Sequence, residues 1–265
     1  MQLIIGFFAA ILVAFLAYRA RSLSLSGALA AVGVGTVVFG IGGWQWAALL
    51  LAFFVSSSGL TKAFGKRKDR LNEKFAKGGR RDAGQVLGNG AVATLFAALH
   101  GLYPEAAWPW LGFAAALAAV NADTWATELG VLSPHPPRMI TDLRKSVEMG
   151  TSGGITLTGT LAALAGASVI GALAALLGLV AGSGSRALIV ALAGLAGSLV
   201  DSLLGATVQA IYHCPACDKE TERHPLHLCG ARTNRIRGWA WMSNDWVNLA
   251  CAVSGAVVAI LAGWG

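Results

Sequence analysis

Four carboxylates in this sequence stand where a carboxylate is costly. Asp123 and Glu128 fall near the end of one apolar run, Asp201 lies inside a second, and Asp245 lies in the first turn of a third. An ionisable group at the centre of a membrane helix costs about 2.5–3.5 kcal/mol on insertion scales, and it is usually retained because it faces a cavity or a partner. Oxygen ligands carried on several helices suit Mg²⁺, which keeps waters and shares the phosphates of a substrate. The competing reading is that these carboxylates pair with nearby arginines and cap helices. On the helix ending after Glu128, Thr124 and Glu128 are one turn apart, as are Asn121 and Thr124; Asp123 and Thr127 form a second pair on an adjoining face. Ser198, Asp201, Ser202 and Gly205 make one stripe further on, and Asn244 and Asn248 flank Asp245.

Anion-binding chemistry follows directly in the chain. The stretch from Asn121 to Gly159 continues through a loop with Arg138, Arg144 and Lys145 into Gly150, Thr151, Ser152, Gly153 and Gly154, with Thr156 just beyond. Thr151 and Ser152 are natural caps for a helix opening here, and the glycines let a ligand approach the backbone. Unsatisfied N–H groups at a helix start attract phosphate. No GK[ST] follows, so this is not a Walker loop. Upstream, Lys62 to Gln85 is strongly basic. It is read either as a solvated, orientation-setting loop that holds anionic lipid headgroups, or as a source of phosphate ligands among Lys74, Arg80 and Arg81. Gln85 and Asn89 lie one turn apart at the start of the next apolar run.

A third cluster is a cysteine knuckle. Cys214 and Cys217 form a CxxC, and His224, His227 and Cys229 follow. Cys214, Cys217, His227 and Cys229 make a tetrahedral Cys₃His set for a structural Zn²⁺, with His224 as the rival fourth ligand and unligated or redox-active thiols as the alternative.

These groups must be positioned by membrane helices. The chain is 55% hydrophobic and 12% charged over 265 residues, whereas a soluble domain carries about 25% charged residues. Its apolar runs reach the roughly 20 residues that cross a bilayer as helix. We read an all-α, polytopic transmembrane bundle of about eight spans, at 2–18, 24–43, 45–61, 86–102, 108–130, 154–180, 187–211 and 243–262. The whole of 1–265 forms one integral membrane domain, with a Cys/His loop at 212–240. The first run has no basic n-region and no small-residue cleavage site, so it reads as a retained helix. Basic residues fall almost entirely in alternate loops, which predicts N and C termini outside and the polar groups on the cytoplasmic face, in a multi-pass protein of the inner (cytoplasmic) membrane. The formal charge of +7 is thereby explained without a nucleic acid. The 34 glycines lie inside apolar runs, where small residues let helices pack closely. Tryptophans near span ends, including Trp44, Trp46, Trp108, Trp110, Trp239 and Trp241, read as an interface belt.

NADTWATELGVLS, PRMIT, VEMGTSGGITLTGT, GLAGSLVDSLLGATVQ and NDWVN, with the upstream LTK and QVLGNG, resemble the ordered signatures of a polytopic family. That family, once labelled only as an unknown-function domain, includes the plastid phytyl-phosphate kinases and transmembrane protein 19. The likeness covers nearly the whole chain. The Cys/His loop is similar to one in bacterial relatives and looks absent from the plant enzymes, which ties it to stability more than to chemistry. The resemblance implies transfer of a phosphoryl group from a nucleoside triphosphate, CTP in particular, to an isoprenoid phosphate lipid such as phytyl or geranylgeranyl phosphate. Asp123, Glu128, Asp201 and Asp245 would then hold Mg²⁺. Lys74, Arg80, Arg138, Lys145 and the glycine cluster would hold phosphates, and Asn89, Asn121, Thr124, Ser198, Asn244 and Asn248 would line the substrate site. A CDP-lipid-forming cytidylyltransferase and a transporter of lipid phosphates or cations are the rival expectations.

Overall fold

Eight helices form a bundle in the computed structural model, which describes residues 1–68, 79–178 and 184–263. They are α1 (Gln2–Arg19), α2 (Leu25–Val37, continued by a π-helical turn to Gly42), α3 (Trp44–Lys68), α4 (Ala83–Leu102), α5 (Trp108–Gly130), α6 (Leu157–Leu176), α7 (Gly184–Thr207) and α8 (Asn244–Ala262). Among the described residues, six are long and apolar enough to cross a membrane: α1, α2 with its π-helical turn, α3, α6, α7 and α8. Large apolar side chains such as Leu3, Phe8, Leu12, Leu157 and Leu261 are exposed on their outer faces, as a hydrocarbon surround favours.

The less apolar α5 owes its composition to its position. It packs against α3, α4, α6, α7 and α8, and its Phe113–Val120 segment is buried on all sides. Enclosed by protein rather than lipid, it carries alanine where an outer helix carries leucine. Close approach replaces bulk here. A Cβ at Gly194 would stand 2.8 Å from that of Ala118, and one at Gly255 would stand 2.7 Å from that of Ala119. Such small-residue contacts give dispersion energy where no hydrophobic force acts between helices.

Three helix starts near the basic loops carry side-chain caps, whereas Ser243 at the head of α8 makes no such bond. Ser24 Oγ accepts from Gly27 N at the head of α2, Asp82 and Gln85 cap α4 reciprocally, and Thr156 Oγ1 accepts from Gly159 N at the head of α6. The last of these changes an expectation. The helix after the glycine cluster starts at Leu157, not near Gly154, and Thr151 and Ser152 do not cap it. Gly150–Gly154 instead form turns that run into a strand.

That strand, β3 (Gly154–Ile155), completes a small antiparallel sheet with β1 (Arg138–Met139) and β2 (Asp142–Ser146), in the order β2-β1-β3. A second small sheet builds the Cys/His loop from β4 (Ile211–Cys214), β5 (Lys219–Thr221) and β6 (Asn234–Arg237), in the order β5-β4-β6. It is fastened to the end of α7: Arg237 donates to Ala206 O, Trp239 N donates to Val208 O, and Ala210 N donates to Met242 O. Both sheets cover one end of the bundle, where α3, α5 and α7 finish and α4, α6 and α8 begin. The chain ends lie at the opposite end: Gln2 Nε2 donates to Phe39 O, and Gly263 packs beside Leu111.

The interface-belt reading of tryptophan divides. Trp44, Trp239 and Trp241 are exposed, but Trp46 is buried, its ring 3.6 Å from that of Trp110 and 4.5 Å from that of Phe113. Those two tryptophans pack the bundle end opposite the sheets, a role that a span-end position alone does not reveal.

Candidate functional site

A polar cavity of about 430 Å³ opens at the sheet-covered end. α5 supplies Asp123, Thr124, Thr127 and Glu128, α7 supplies Ser198, Asp201, Ser202 and Gly205, and the head of α8 supplies Asn244, Asp245 and Asn248. Residues Met149–Thr156 form a further wall. Helix ends converge here because the α5, α7 and α8 backbones meet through glycine and alanine, which draws the polar residues at their ends into one ring.

Asp123 and Asp201 are within hydrogen-bonding reach of one another, and Glu222 is close enough to act on Asp201 electrostatically. Asp201 Oδ2 is buried and has no hydrogen-bond partner among the described residues. Glu128 is buried and accepts from Thr61 Oγ1 at 2.9 Å. Asp245 sits where α4 comes closest: a Cβ at Gly88 would stand 2.7 Å from Asp245 O. Five carboxylates (Asp123, Glu128, Asp201, Glu222 and Asp245) thus line the cavity, with Arg81 as the single basic side chain among the described lining residues.

Arg81 is half-buried between two parts of the fold. Its backbone pairs with Ser22 and Ser24, and its guanidinium lies 5.5 Å from the Phe53 ring and 5.9 Å from that of Phe54. Burial pulls its pKa down to about 10, against the opposing pull of the Glu128 carboxylate. It therefore remains a cation at neutral pH.

The glycine turn is held by its neighbours. Gly153 has φ +84°, and a Cβ there would lie 2.5–2.6 Å from Ala206. Ser152 Oγ donates to Glu222 Oε1 at 3.0 Å, and Gln209 Nε2 donates to the same oxygen at 2.7 Å.

Asn89 also lines the cavity. Several other expected residues do not. Asn121 is fully buried: its Oδ1 accepts from Ser56 and Ser57 Oγ, and its Nδ2 donates to Gly166 O, tying α3, α5 and α6 together. Arg80 donates to Leu23 O and lies over the Tyr18 ring, Arg138 donates to Leu143 O, and Lys145 is exposed on β2. Lys74 falls outside the described residues. Thr124 and Thr156 line the cavity with their hydroxyls already engaged, Thr124 to Val120 O and Thr156 in its helix cap. The residues that sequence reasoning missed are Gln209 and Glu222. Gln209 closes the apolar run 187–211, past the polar stripe around Asp201, and nothing in the local sequence separates Glu222 from the solvated charges beside it.

The Cys/His loop gathers a second centre. Ligand atoms of Cys214, Cys217, His227 and Cys229 all lie within 4.8 Å of one another. His227 Nδ1 is 3.2 Å from Cys229 Sγ and 3.6 Å from Cys217 Sγ, and Cys214 and Cys229 Sγ are 3.6 Å apart. Tetrahedral ligands about 2.0–2.3 Å from an ion stand roughly 3.3–3.8 Å from each other, so the group could hold one metal ion. The His227 hydrogen bond lowers the Cys229 thiol to about 6, whereas the hydrogen bond to Cys229 pushes Cys217 up to about 11. His224, the rival ligand, stacks on the Tyr212 ring instead.

An apolar groove of about 280 Å³ adjoins the polar cavity. It runs among α1, α2, α3 and α4 past Ala14, Val34, Phe39, Ala48 and Phe53, and its polar end is made by Arg81, Gln85 and Asn89, which also line the cavity.

Comparison with known proteins agrees with this architecture. Residues 8–256 match the family model described as integral membrane protein DUF92. The chain is 37% identical over 259 residues to Protein PGR of Arabidopsis thaliana, covering 89% of this chain and 88% of that protein. It is 35% identical over 217 residues to an uncharacterised membrane protein of Methanocaldococcus jannaschii, covering 78% and 84%. To Protein VTE6, chloroplastic, of Arabidopsis thaliana it is 28% identical over 244 residues, covering 90% of this chain and 65% of that one. No solved structure matches. The chain belongs to the DUF92 family of integral membrane proteins, the family that its ordered motifs resemble.

Proposed function

We propose that this protein is a membrane-embedded kinase that transfers the terminal phosphoryl group of a nucleoside triphosphate, CTP in particular, to an isoprenyl monophosphate such as phytyl or geranylgeranyl phosphate. One observation carries the reading: the acidic cavity and the apolar groove share Arg81, Gln85 and Asn89. A ligand lying across that junction has an anionic head and an apolar chain. A soluble nucleotide needs no such groove, and an ordinary cation needs neither the groove nor Arg81. The motif likeness to a family that includes phytyl-phosphate kinases supports the same substrate.

The charge balance explains the rest. Five carboxylates facing one guanidinium would repel triphosphate, so a cation must intervene. Asp123, Asp201 and Asp245 would hold Mg²⁺, with Glu128 beside Arg81, and the donor set of hard oxygens fits that ion. When bound, Mg²⁺ neutralises phosphate charge and orients the donor. Arg81 binds the acceptor phosphate at the groove mouth, and the Gly150–Gly154 turns, whose Thr151 and Gly154 N–H groups are engaged within the turn, lie against the donor. An acceptor phosphate oxygen forms the new P–O bond as the bond between the β-bridging oxygen and the terminal phosphorus breaks, releasing the nucleoside diphosphate. The acceptor is already an anion, so no strong general base is required. Nucleotide enters from the cytoplasmic face, the side that the basic loops assign to this end of the bundle. The Cys₃His group takes Zn²⁺.

Purified protein given phytyl or geranylgeranyl phosphate, Mg²⁺ and terminally labelled nucleotide is expected to yield labelled lipid diphosphate. Failure across several donors and chain lengths would sink the proposal. CDP-lipid with pyrophosphate as product would identify a cytidylyltransferase, and flux into proteoliposomes without nucleotide use would identify a transporter. Ala48→Phe, which fills the groove from α3 without touching the cavity, is expected to lower turnover of the C20 acceptor about tenfold. A shorter prenyl phosphate should be spared, and equal effects on both chain lengths would remove the groove from the account.

A further inference from the structure

The Cys/His loop is more than a cover. Glu222 follows directly on β5, and β5 pairs with β4 in the register Tyr212↔Thr221 and Cys214↔Lys219. The turn between those strands carries Cys217, so closing the four-ligand cluster fixes the hairpin whose last strand leads into Glu222. The flanks of Glu222 are pinned as well. Thr221 is buried and its Oγ1 accepts from Arg223 N, while Thr233 Oγ1 donates to Arg223 O. From that base the Glu222 carboxylate reaches into the polar cavity and accepts from Ser152, in the glycine turn, and from Gln209, just past the end of α7.

We infer that Glu222 is a positioning residue for the phosphate-binding turn, and that metal binding at Cys214, Cys217, His227 and Cys229 sets the order of that turn through Glu222. This rests on the kinase reading for its purpose, but its physical content is a linkage between two parts of the chain. Charge-assisted hydrogen bonds from a hydroxyl and an amide to one carboxylate oxygen are strong and directional. They hold the turn at Ser152, while the contact of Gly153 with Ala206 holds it from the other side. Without the ion, the hairpin loses the tie that closes its turn at Cys217 onto Cys214, His227 and Cys229.

The test uses the full chain in detergent, with zinc content measured by elemental mass spectrometry and amide hydrogen exchange followed over residues 149–155. Neither readout requires nucleotide or turnover. The wild type is expected to hold one zinc per chain. Cys217→Ser should lose it, and exchange across the turn should rise about tenfold. Glu222→Ala should keep the zinc and show the same rise. The double variant should exchange no faster than either single one, because both act through one contact. Glu222→Gln, whose side-chain oxygen still accepts from Ser152, should retain most of the protection. Unchanged exchange in Glu222→Ala, additive effects in the double variant, or a wild type that binds no zinc would each overturn the inference. A protein that shows the linkage but transfers no phosphoryl group would refute the kinase reading alone, and one that transfers without the linkage would refute this inference alone.

Discussion

Asp123→Asn is expected to lower phosphoryl transfer by about 10³-fold while leaving the fold intact. The substitution preserves the size of the side chain and removes its charge, at a point where Asp123 and Asp201 face each other across the α5–α7 contact. Without an ion, that pair crowds two acidic side chains at one point, so the variant should be no less stable than the wild type when Mg²⁺ is absent. With Mg²⁺ the two should part. The wild type gains stability as ligand binds the native state, whereas the variant should gain little over the same concentrations. Melting curves in detergent with and without Mg²⁺, beside the transfer assay, separate this from misfolding. Asp142→Asn, at an exposed carboxylate on β2 away from the cavity, is the matched control and should behave as wild type in both. An Asp123→Asn protein that transfers normally would remove this residue from the metal site.

Gly153→Ala is expected to lower transfer by about 10²-fold, the scale of effect that a displacement of about 1 Å at a reacting centre produces. Two features act together there. The backbone at φ +84° disfavours any side chain, and the new methyl would lie 2.5–2.6 Å from backbone and side-chain atoms of Ala206. The turn must therefore move away from α7, carrying Ser152 off Glu222. Backbone strain of this kind costs about 1–3 kcal/mol, so some loss of thermal stability should accompany the loss of rate. Gly178→Ala distinguishes the two effects. Gly178 also has positive φ, at +72°, but its Cβ would meet nothing within 4 Å, and it lies after α6, away from the cavity. It should lose stability by strain alone and keep its rate. Equal losses of rate in both variants would mean that stability, and not the position of the turn, limits transfer.

The bundle was legible because its signals are local. Each apolar run is long enough to declare a helix, although not its exact start: Thr151 and Ser152, the expected caps of α6, give way to Thr156. Asp123, Glu128, Asp201 and Asp245 stood out for the same reason: a carboxylate within or beside an apolar run is conspicuous without any knowledge of its neighbours. The basic residues gave no comparable contrast. Arg80, Arg81, Arg138 and Lys145 look alike in sequence, yet only Arg81 lines the cavity, because the pairing of its backbone with Ser22 and Ser24 turns it inward while Arg80 points to Tyr18. Asn121 shows the converse error of proximity. It lies two residues from Asp123, but 100° per residue of helix rotation directs it to Ser56, Ser57 and Gly166.

Sequence alone determined that this is a polytopic helical membrane protein, that its carboxylates gather near one end of their helices, and that Cys214, Cys217, His227 and Cys229 have the spacing of a metal site. Composition, periodicity and short-range spacing suffice for each of these. Which groups meet across the bundle was decided by tertiary structure. The contact between Glu222 and Ser152 spans 70 residues, and the groove is joined to the cavity by residues that also cap α4 or brace α2. Such juxtapositions depend on how closely glycine and alanine let α5, α7 and α8 approach, and on how the two small sheets fold over the helix ends. No run of neighbouring residues encodes them.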